Sequence, residues 1–380
     1  MPTPVAILVC WAFILGLFAL DARRHKGILT ANWIPAVYFF ILATRPVSAW
    51  FGSGGASEGS LEEGSSLDRA VFIFLQLLAA GVLAQRISRI NRFFRKALPI
   101  FLFLGYCLVS IAWSDYPGVA IKRWVKLLED LMMVLIPLTD RSPILALRRV
   151  LLWPAFVMIP LSVLFIKYIP ALGRGYDPWT GFAFMHGASY NKNGLGALCL
   201  FSGIALFWAF SILSPAERRR TITVAPLILL FGLDLWLLKL SQSATSMVCL
   251  IMACVLMVTA HIRWVSTRPF LIHIGVLSLV AAPALILFGG VGSGALDSIG
   301  RDSTLTGRTE LWAELFPLVT NPVIGAGYES FWLGDRLRHL WSVFWWQPTQ
   351  SHNGFIELYL NLGVAGLAFF AVVLVSGYLN

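Results

Sequence analysis

Charge is scarce in this chain: 13% of its 380 residues are Asp, Glu, Lys or Arg, against 58% that are apolar. A water-soluble domain of this length needs a more polar surface, so the composition excludes one and points to a membrane protein. A mean hydropathy of +0.77 agrees. Cysteine is also rare. The five cysteines (Cys10, Cys107, Cys199, Cys249, Cys254) all lie in apolar runs without metal-ligand spacing. They read as small buried hydrophobes, with no disulfide framework. There is no Walker loop, no Rossmann fingerprint and no metal cluster, so no nucleotide, metal or other cofactor is expected. The absence of an internal repeat argues against a secondary transporter. The formal net charge of +10 does not signal nucleic acid, because the basic residues sit in short clusters between apolar runs, where topology signals belong.

Long apolar runs are what the sequence does have. A bilayer core takes roughly 20 apolar residues per helix. Spans are expected near 4–20, 32–51, 68–84, 97–113, 124–138, 150–168, 194–213, 223–240, 244–260, 269–289 and 355–379. The fold class is thus all-α, a single polytopic domain over 1–380 with about eleven transmembrane helices. Met1 to Leu20 lacks a basic n-region and an A-x-A site, and basic residues follow it, so it reads as a retained first helix. Loops holding Arg23, Arg24 and Lys26; Arg86 to Lys96; Arg141, Arg148 and Arg149; Arg218 to Arg220; and Arg263 and Arg268 alternate with the others and are read as cytoplasmic. The N-terminus is then outside. The longest loop, 290–351, falls on the external side and is expected to be functional. In it Leu311, Trp312, Leu315, Phe316 and Val319 recur at helical spacing, the pattern of an amphipathic helix at the membrane surface.

Several external residues can carry chemistry. Ser351-His352-Asn353 enters the last span, with Glu357 five residues after the histidine. A histidine near neutrality suits proton transfer from a hydroxyl; an interfacial histidine solvated by headgroups is the plainer alternative. Arg308 opens the amphipathic segment, where a guanidinium fork and helix N–H groups both favour phosphate, or a lipid headgroup. Lys122, Arg123 and Lys126 place cations on an external face, against the topology trend, which fits an anionic ligand or anionic lipid equally. Lys192, in Tyr190-Asn191-Lys192-Asn193, either joins an anion site or lies beside an Asn193 helix cap. Arg45 lies inside an apolar run before Pro46, where a charge is either functional or snorkelling.

These residues form a familiar set. The chain resembles the O-antigen ligase/polymerase superfamily, especially its exopolysaccharide polymerase-like branch. The hallmark reads His352-Asn353, nine residues, Gly363, two residues, Gly366. Upstream stand Gly307-Arg308-Thr-Glu-Leu-Trp312 and Asn321-Pro322-Val-Ile-Gly325-Ala-Gly327, with Trp113-Ser-Asp-Tyr-Pro117 and Lys192-Asn-Gly-Leu-Gly196 earlier. The resemblance implies an inverting, metal-independent transfer in the bacterial inner membrane, with the site facing the periplasm. The implied donor is an undecaprenyl-diphosphate-linked glycan, and the acceptor a glycan or a lipid. It gives His352 as general base and Arg308 as the group that binds the leaving diphosphate. Lys122, Arg123, Lys192, Arg45, Asn353 and Glu357 are the substrate-binding candidates. A flippase and a chain-length regulator are the implied partners, besides membrane lipids. Relatives carry Ser-x-Ser-Arg where this chain has Ser241-Gln-Ser243-Ala244, so one cation of that site is absent or supplied elsewhere. The chain stops at Asn380 at the end of a span, as a fragment or a shortened family member would.

Four functions are in play: glycan polymerisation; ligation to an acceptor such as lipid A core; transport of lipid-linked glycans; and a non-catalytic scaffold. A transporter would need charge at mid-membrane depth. Most candidate charges sit at the external boundary instead, which favours an enzyme.

Overall fold

In hydrocarbon every backbone N–H and C=O needs an internal partner, and an apolar run satisfies this by forming a helix. The computed structural model describes residues 1–24, 31–51, 65–94, 97–176, 181–268, 270–278 and 308–379. Among these, seven helices are long and apolar enough to cross a membrane: Thr3–Arg23, Ser66–Ala84, Pro143–Tyr168, Lys192–Ser211, Thr221–Ser241, Ala244–His261 and Gly354–Leu379. At a rise of 1.5 Å per residue, the 21 residues of Thr3–Arg23 extend about 31 Å, the thickness of a bilayer core.

Four of the expected spans are not among these seven. The 32–51 span is broken. Its helix ends at Ala43, and a four-residue helix restarts at Val47. Pro46 causes the break, because it lacks an N–H and disfavours helical geometry in the residue before it. Leu98–Trp113 is a shorter apolar helix whose last turn tightens to 3-10 geometry at Ser110–Trp113. Pro117–Leu138 is one continuous helix, but it carries Lys122, Arg123, Lys126, Glu129 and Asp130 and is not among the seven. The 269–289 span is described only over 270–278. The 169–191 connection holds a small antiparallel hairpin, Arg174–Tyr176 with Ala183–Met185.

The chain divides into two compact units. The first comprises Met1–Gln85 and Met133–Ala281. Pro143–Tyr168 is its central helix, with 72% of its apolar window buried, whereas Ala244–His261 has only 11% buried and stays at the periphery. Met158, Ile159, Leu195, Leu198, Leu206, Leu230, Leu237 and Leu238 fill the core. Cys10 and Cys199 are buried as predicted, but Cys249 is exposed, because it lies on the outer face of that peripheral helix. Polar ties group the helix ends. Asp21 pairs with Arg149 at 3.5 Å and accepts from Trp153 Nε1 at 3.1 Å, bringing the end of the first helix beside the start of Pro143–Tyr168. The 43–48 segment is tied to the 168–192 connection and to Asp68. This grouping is what an alternating chain requires.

The second unit comprises Arg86–Met132 and Ala282–Asn380. Leu311 and Leu315 of the Arg308–Leu315 helix are fully buried with Phe331, Leu340 and Leu360. The apolar side of this helix therefore packs on protein. The last helix is kinked at Gly363, where φ is +66°, a value glycine adopts without penalty. The kink lets the 321–327 loop pack backbone against backbone. Val364 N–H donates to Pro322 O at 2.9 Å, Ala365 N–H to Val323 O at 3.0 Å, and Ala326 N–H to Leu360 O at 3.1 Å. Gly325 and Gly363 thus have a mechanical role, and no Cβ fits at either.

Candidate functional site

The 351–353 turn in the second unit concentrates the predicted chemistry. Ser351 is fully buried, and its polar groups are all engaged. Its N–H donates to Glu357 Oε2 at 2.9 Å, and its carbonyl accepts from Trp312 Nε1 at 2.8 Å. Its hydroxyl donates to Asn353 O at 2.9 Å. Asn353 caps the last helix, its Oδ1 accepting from Phe355 N at 3.0 Å and Ile356 N at 3.3 Å. Between these two anchored residues His352 sits exposed, in the left-handed region at φ +55°. That conformation is uncommon outside glycine, although histidine tolerates it better than most.

The electrostatics favour a neutral imidazole at His352. Partial burial lowers its pKa from the ordinary 6.5; the charge of Arg308 lowers it further, and Glu357 opposes. Arg308 heads the Arg308–Leu315 helix, is exposed, and makes no hydrogen bond or ion pair with a described residue. Its charge is thus close enough to act on His352 while its donors remain open. Gly307, its motif partner, and Arg301 lie outside the described residues. Trp346 adjoins the histidine, ring centroids 6.0 Å apart and planes 34° apart.

The remaining candidates are dispersed. Glu357 faces inward: Oε1 accepts from Trp332 Nε1 at 2.5 Å and from Asn361 Nδ2 at 3.2 Å. Arg123 donates to Glu329 O and lies 3.8 Å from its carboxylate. Partial burial raises the Glu329 carboxyl, against the pull of Arg123. Lys122 next to it is exposed, with no polar bond to a described residue. Arg336 is held by Asp115 at 2.8 Å and by Phe331 O at 3.1 Å.

Arg45 and Lys192 belong to the first unit. The Arg45 guanidinium is held through Nε and Nη2, donating to Ser189 O at 3.2 Å, Gly187 O at 3.0 Å and Leu172 O, and facing His186 Nδ1 at 3.0 Å. Burial and the Arg45 charge lower the His186 pKa. The same His186 Nδ1 lies 2.9 Å from Ser189 O, so it either accepts from Arg45 or donates to that carbonyl, according to its tautomer. Lys192 is the exposed first residue of its helix. The cap there is Asn191 and not Asn193: its side chain accepts from Gly194 N at 2.7 Å, because the helix begins at Lys192, two residues earlier than expected.

Glu329, Trp332, Asn361, His186 and Asp234 were not picked out from the sequence. Asp234 and Asn361 had a signal, since each is a polar residue alone in an apolar span. Asn361 accepts from Phe331 N at 3.1 Å, whereas Asp234 is fully buried with Cys199 beside its carboxylate. Glu329 and Trp332 sit in a loop whose path only the fold reveals.

Among the described residues, no group of three His, Cys, Asp or Glu side chains is placed to hold a metal. Residues 225–371, which include Arg308 and His352, match the O-antigen ligase family. Together with the apolar helices, this makes the chain a multi-pass membrane protein of the O-antigen ligase/ExoQ-like family. It is 31% identical over 291 residues to the exopolysaccharide production protein ExoQ of Rhizobium meliloti (strain 1021), a match covering 73% of this chain and 64% of that relative. The chain therefore spans less than two thirds of the relative it matches. No solved structure matches the chain.

Proposed function

We propose that this protein is an exopolysaccharide or O-antigen polymerase of the bacterial inner membrane, transferring undecaprenyl-diphosphate-linked glycans at the periplasmic face. The observation that carries this reading is that His352 and Arg308 lie in the same unit, the histidine exposed at the mouth of the last helix and the arginine exposed at the head of its own, with the Arg308 charge lowering the histidine's pKa. As proposed, the reaction is an inverting, metal-independent displacement. His352 takes the proton of the acceptor hydroxyl as its oxygen bonds to the anomeric carbon. The bond from that carbon to the diphosphate oxygen breaks, and the lipid diphosphate leaves with the electron pair. Arg308 stabilises the negative charge that develops there, with Lys122 as a second open cation at the helix that begins at Pro117. The ExoQ relative is named for exopolysaccharide production, and polymerisation is the form of that production proposed for this chain.

The test is transfer from a purified undecaprenyl-diphosphate oligosaccharide by the reconstituted full chain, with His352→Ala and Arg308→Gln beside the parent. Loss of turnover in both variants, with folding retained, is expected. Undiminished turnover in His352→Ala would remove the general-base role.

A further inference from the structure

Glu357 has the chemistry of a ligand-binding residue, yet the fold points it inward. Its carboxylate meets three N–H donors from three places: Ser351 N at 2.9 Å, Trp332 Nε1 at 2.5 Å and Asn361 Nδ2 at 3.2 Å. Ser351 is the residue before the histidine. Its N–H is held by Glu357 and its carbonyl by Trp312, so both peptide groups leading into His352 are fixed by side chains. A left-handed backbone at a non-glycine residue persists only where its surroundings over-determine it. Here the surroundings are this carboxylate, the Trp312 indole and the Asn353 cap. Asn361 extends the network, since it also accepts from Phe331 N at 3.1 Å, next to the Ser330 and Glu329 carbonyls that Arg336 and Arg123 bind.

We infer that Glu357 is a positioning residue: its carboxylate sets the backbone of the 351–353 turn, and so the direction of the His352 ring, and couples that turn to the 327–333 loop. This rests on the reading of His352 as the base. The charged groups acting on His352 are Arg308, on the helix it heads, and Glu357 itself. Glu357 therefore also opposes the lowering of the histidine's pKa, an effect that a purely structural strut would not have.

Glu357→Gln keeps the shape but places an amide NH2 where one carboxylate oxygen accepted, leaving Ser351 N–H or Trp332 Nε1 unpaired. A charge-assisted hydrogen bond lost in the reacting geometry corresponds to roughly ten- to a hundredfold in rate. The reconstituted full chain is therefore expected to lose kcat by that factor, with KM for an undecaprenyl-diphosphate oligosaccharide within about twofold of the parent. The acid limb of its pH–rate profile should move to lower pH. An unchanged kcat and pH profile would overturn the proposal, and so would a fall in activity that tracks folded yield alone. His352→Ala runs in parallel. Full activity there removes the base reading itself, whereas an inactive His352→Ala beside a parent-like Glu357→Gln removes only the positioning role. Should Glu357→Gln fail to fold, Trp332→Phe decides, because it deletes one donor to the carboxylate without touching its charge. A fall in kcat at constant KM with an unmoved acid limb supports the inference, and parent-like kcat overturns it.

Discussion

Gly363→Ala should be a strongly damaging single-methyl change in the second unit. The residue sits at φ +66°, and a Cβ there would lie 2.3 Å from Val323 C and O and 2.5 Å from Ile324 N. Backbone cannot rotate away as a side chain would, so either the kink or the 321–327 loop must move. The left-handed conformation alone costs a non-glycine residue roughly 1–2 kcal/mol. Displacing the loop removes the bonds from Val364 N, Ala365 N and Ala326 N, at about 1 kcal/mol each. A loss of roughly 3–5 kcal/mol is expected. Gly377→Ala, in the same helix with nothing within 4 Å of the added methyl, is the control. It should be neutral or stabilising by up to about 1 kcal/mol. Thermal unfolding in nanodiscs, with limited proteolysis of the 319–333 loop, compares the two. Equal stability and equal protease resistance in both variants would refute the claim that the hallmark glycine seats the loop.

Protonation of His352 should set the acid limb of activity. Its folded pKa lies below 6.5, so the neutral base persists into mild acid, and the rate should fall only as pH drops through that lowered value; a limb above 7 would contradict the assignment. Arg308→Gln removes a charge that lowers this pKa, so its residual activity should show a limb moved towards higher pH. Arg45→Ala leaves the carbonyls of Leu172, Gly187 and Ser189 without their donor and should cost roughly 3–5 kcal/mol of stability. Parent-like unfolding with lost turnover would make Arg45 a substrate ligand instead. Lys122→Ala should raise KM for the lipid-linked donor severalfold at unchanged stability, whereas Arg123→Ala should chiefly destabilise, since it leaves the Glu329 carbonyl unpaired. Steady-state kinetics and melting curves separate the two.

Helices were legible where the apolar run was long, as at Pro143–Tyr168 and Thr221–Ser241, which continue through interior prolines and whose expected boundaries lay within a few residues except at the first start. The broken second span was visible in principle at Pro46, but average hydropathy over 32–51 hides a single backbone break. The Arg174–Met185 hairpin was not legible, because three-residue strands leave no periodicity. At the site, residue type gave the chemistry of His352 and Arg308 but not direction. Glu357 and Arg45 had the chemistry of ligand-binding residues, and only packing shows that both point into their own units. Asn361 carried a compositional signal as a lone amide in an apolar span, but its partner Phe331 lies thirty residues away in a loop.

The most direct measurement uses the full chain in nanodiscs with undecaprenyl-diphosphate oligosaccharide as the sole substrate, its products resolved by gel and mass spectrometry. A ladder of lipid-linked glycans one repeat apart, formed without any added acceptor and lost in His352→Ala, is the predicted result. Product formed only when a separate lipid acceptor is supplied would make the protein a ligase. No product at all from verified donor and folded protein would contradict the transferase reading.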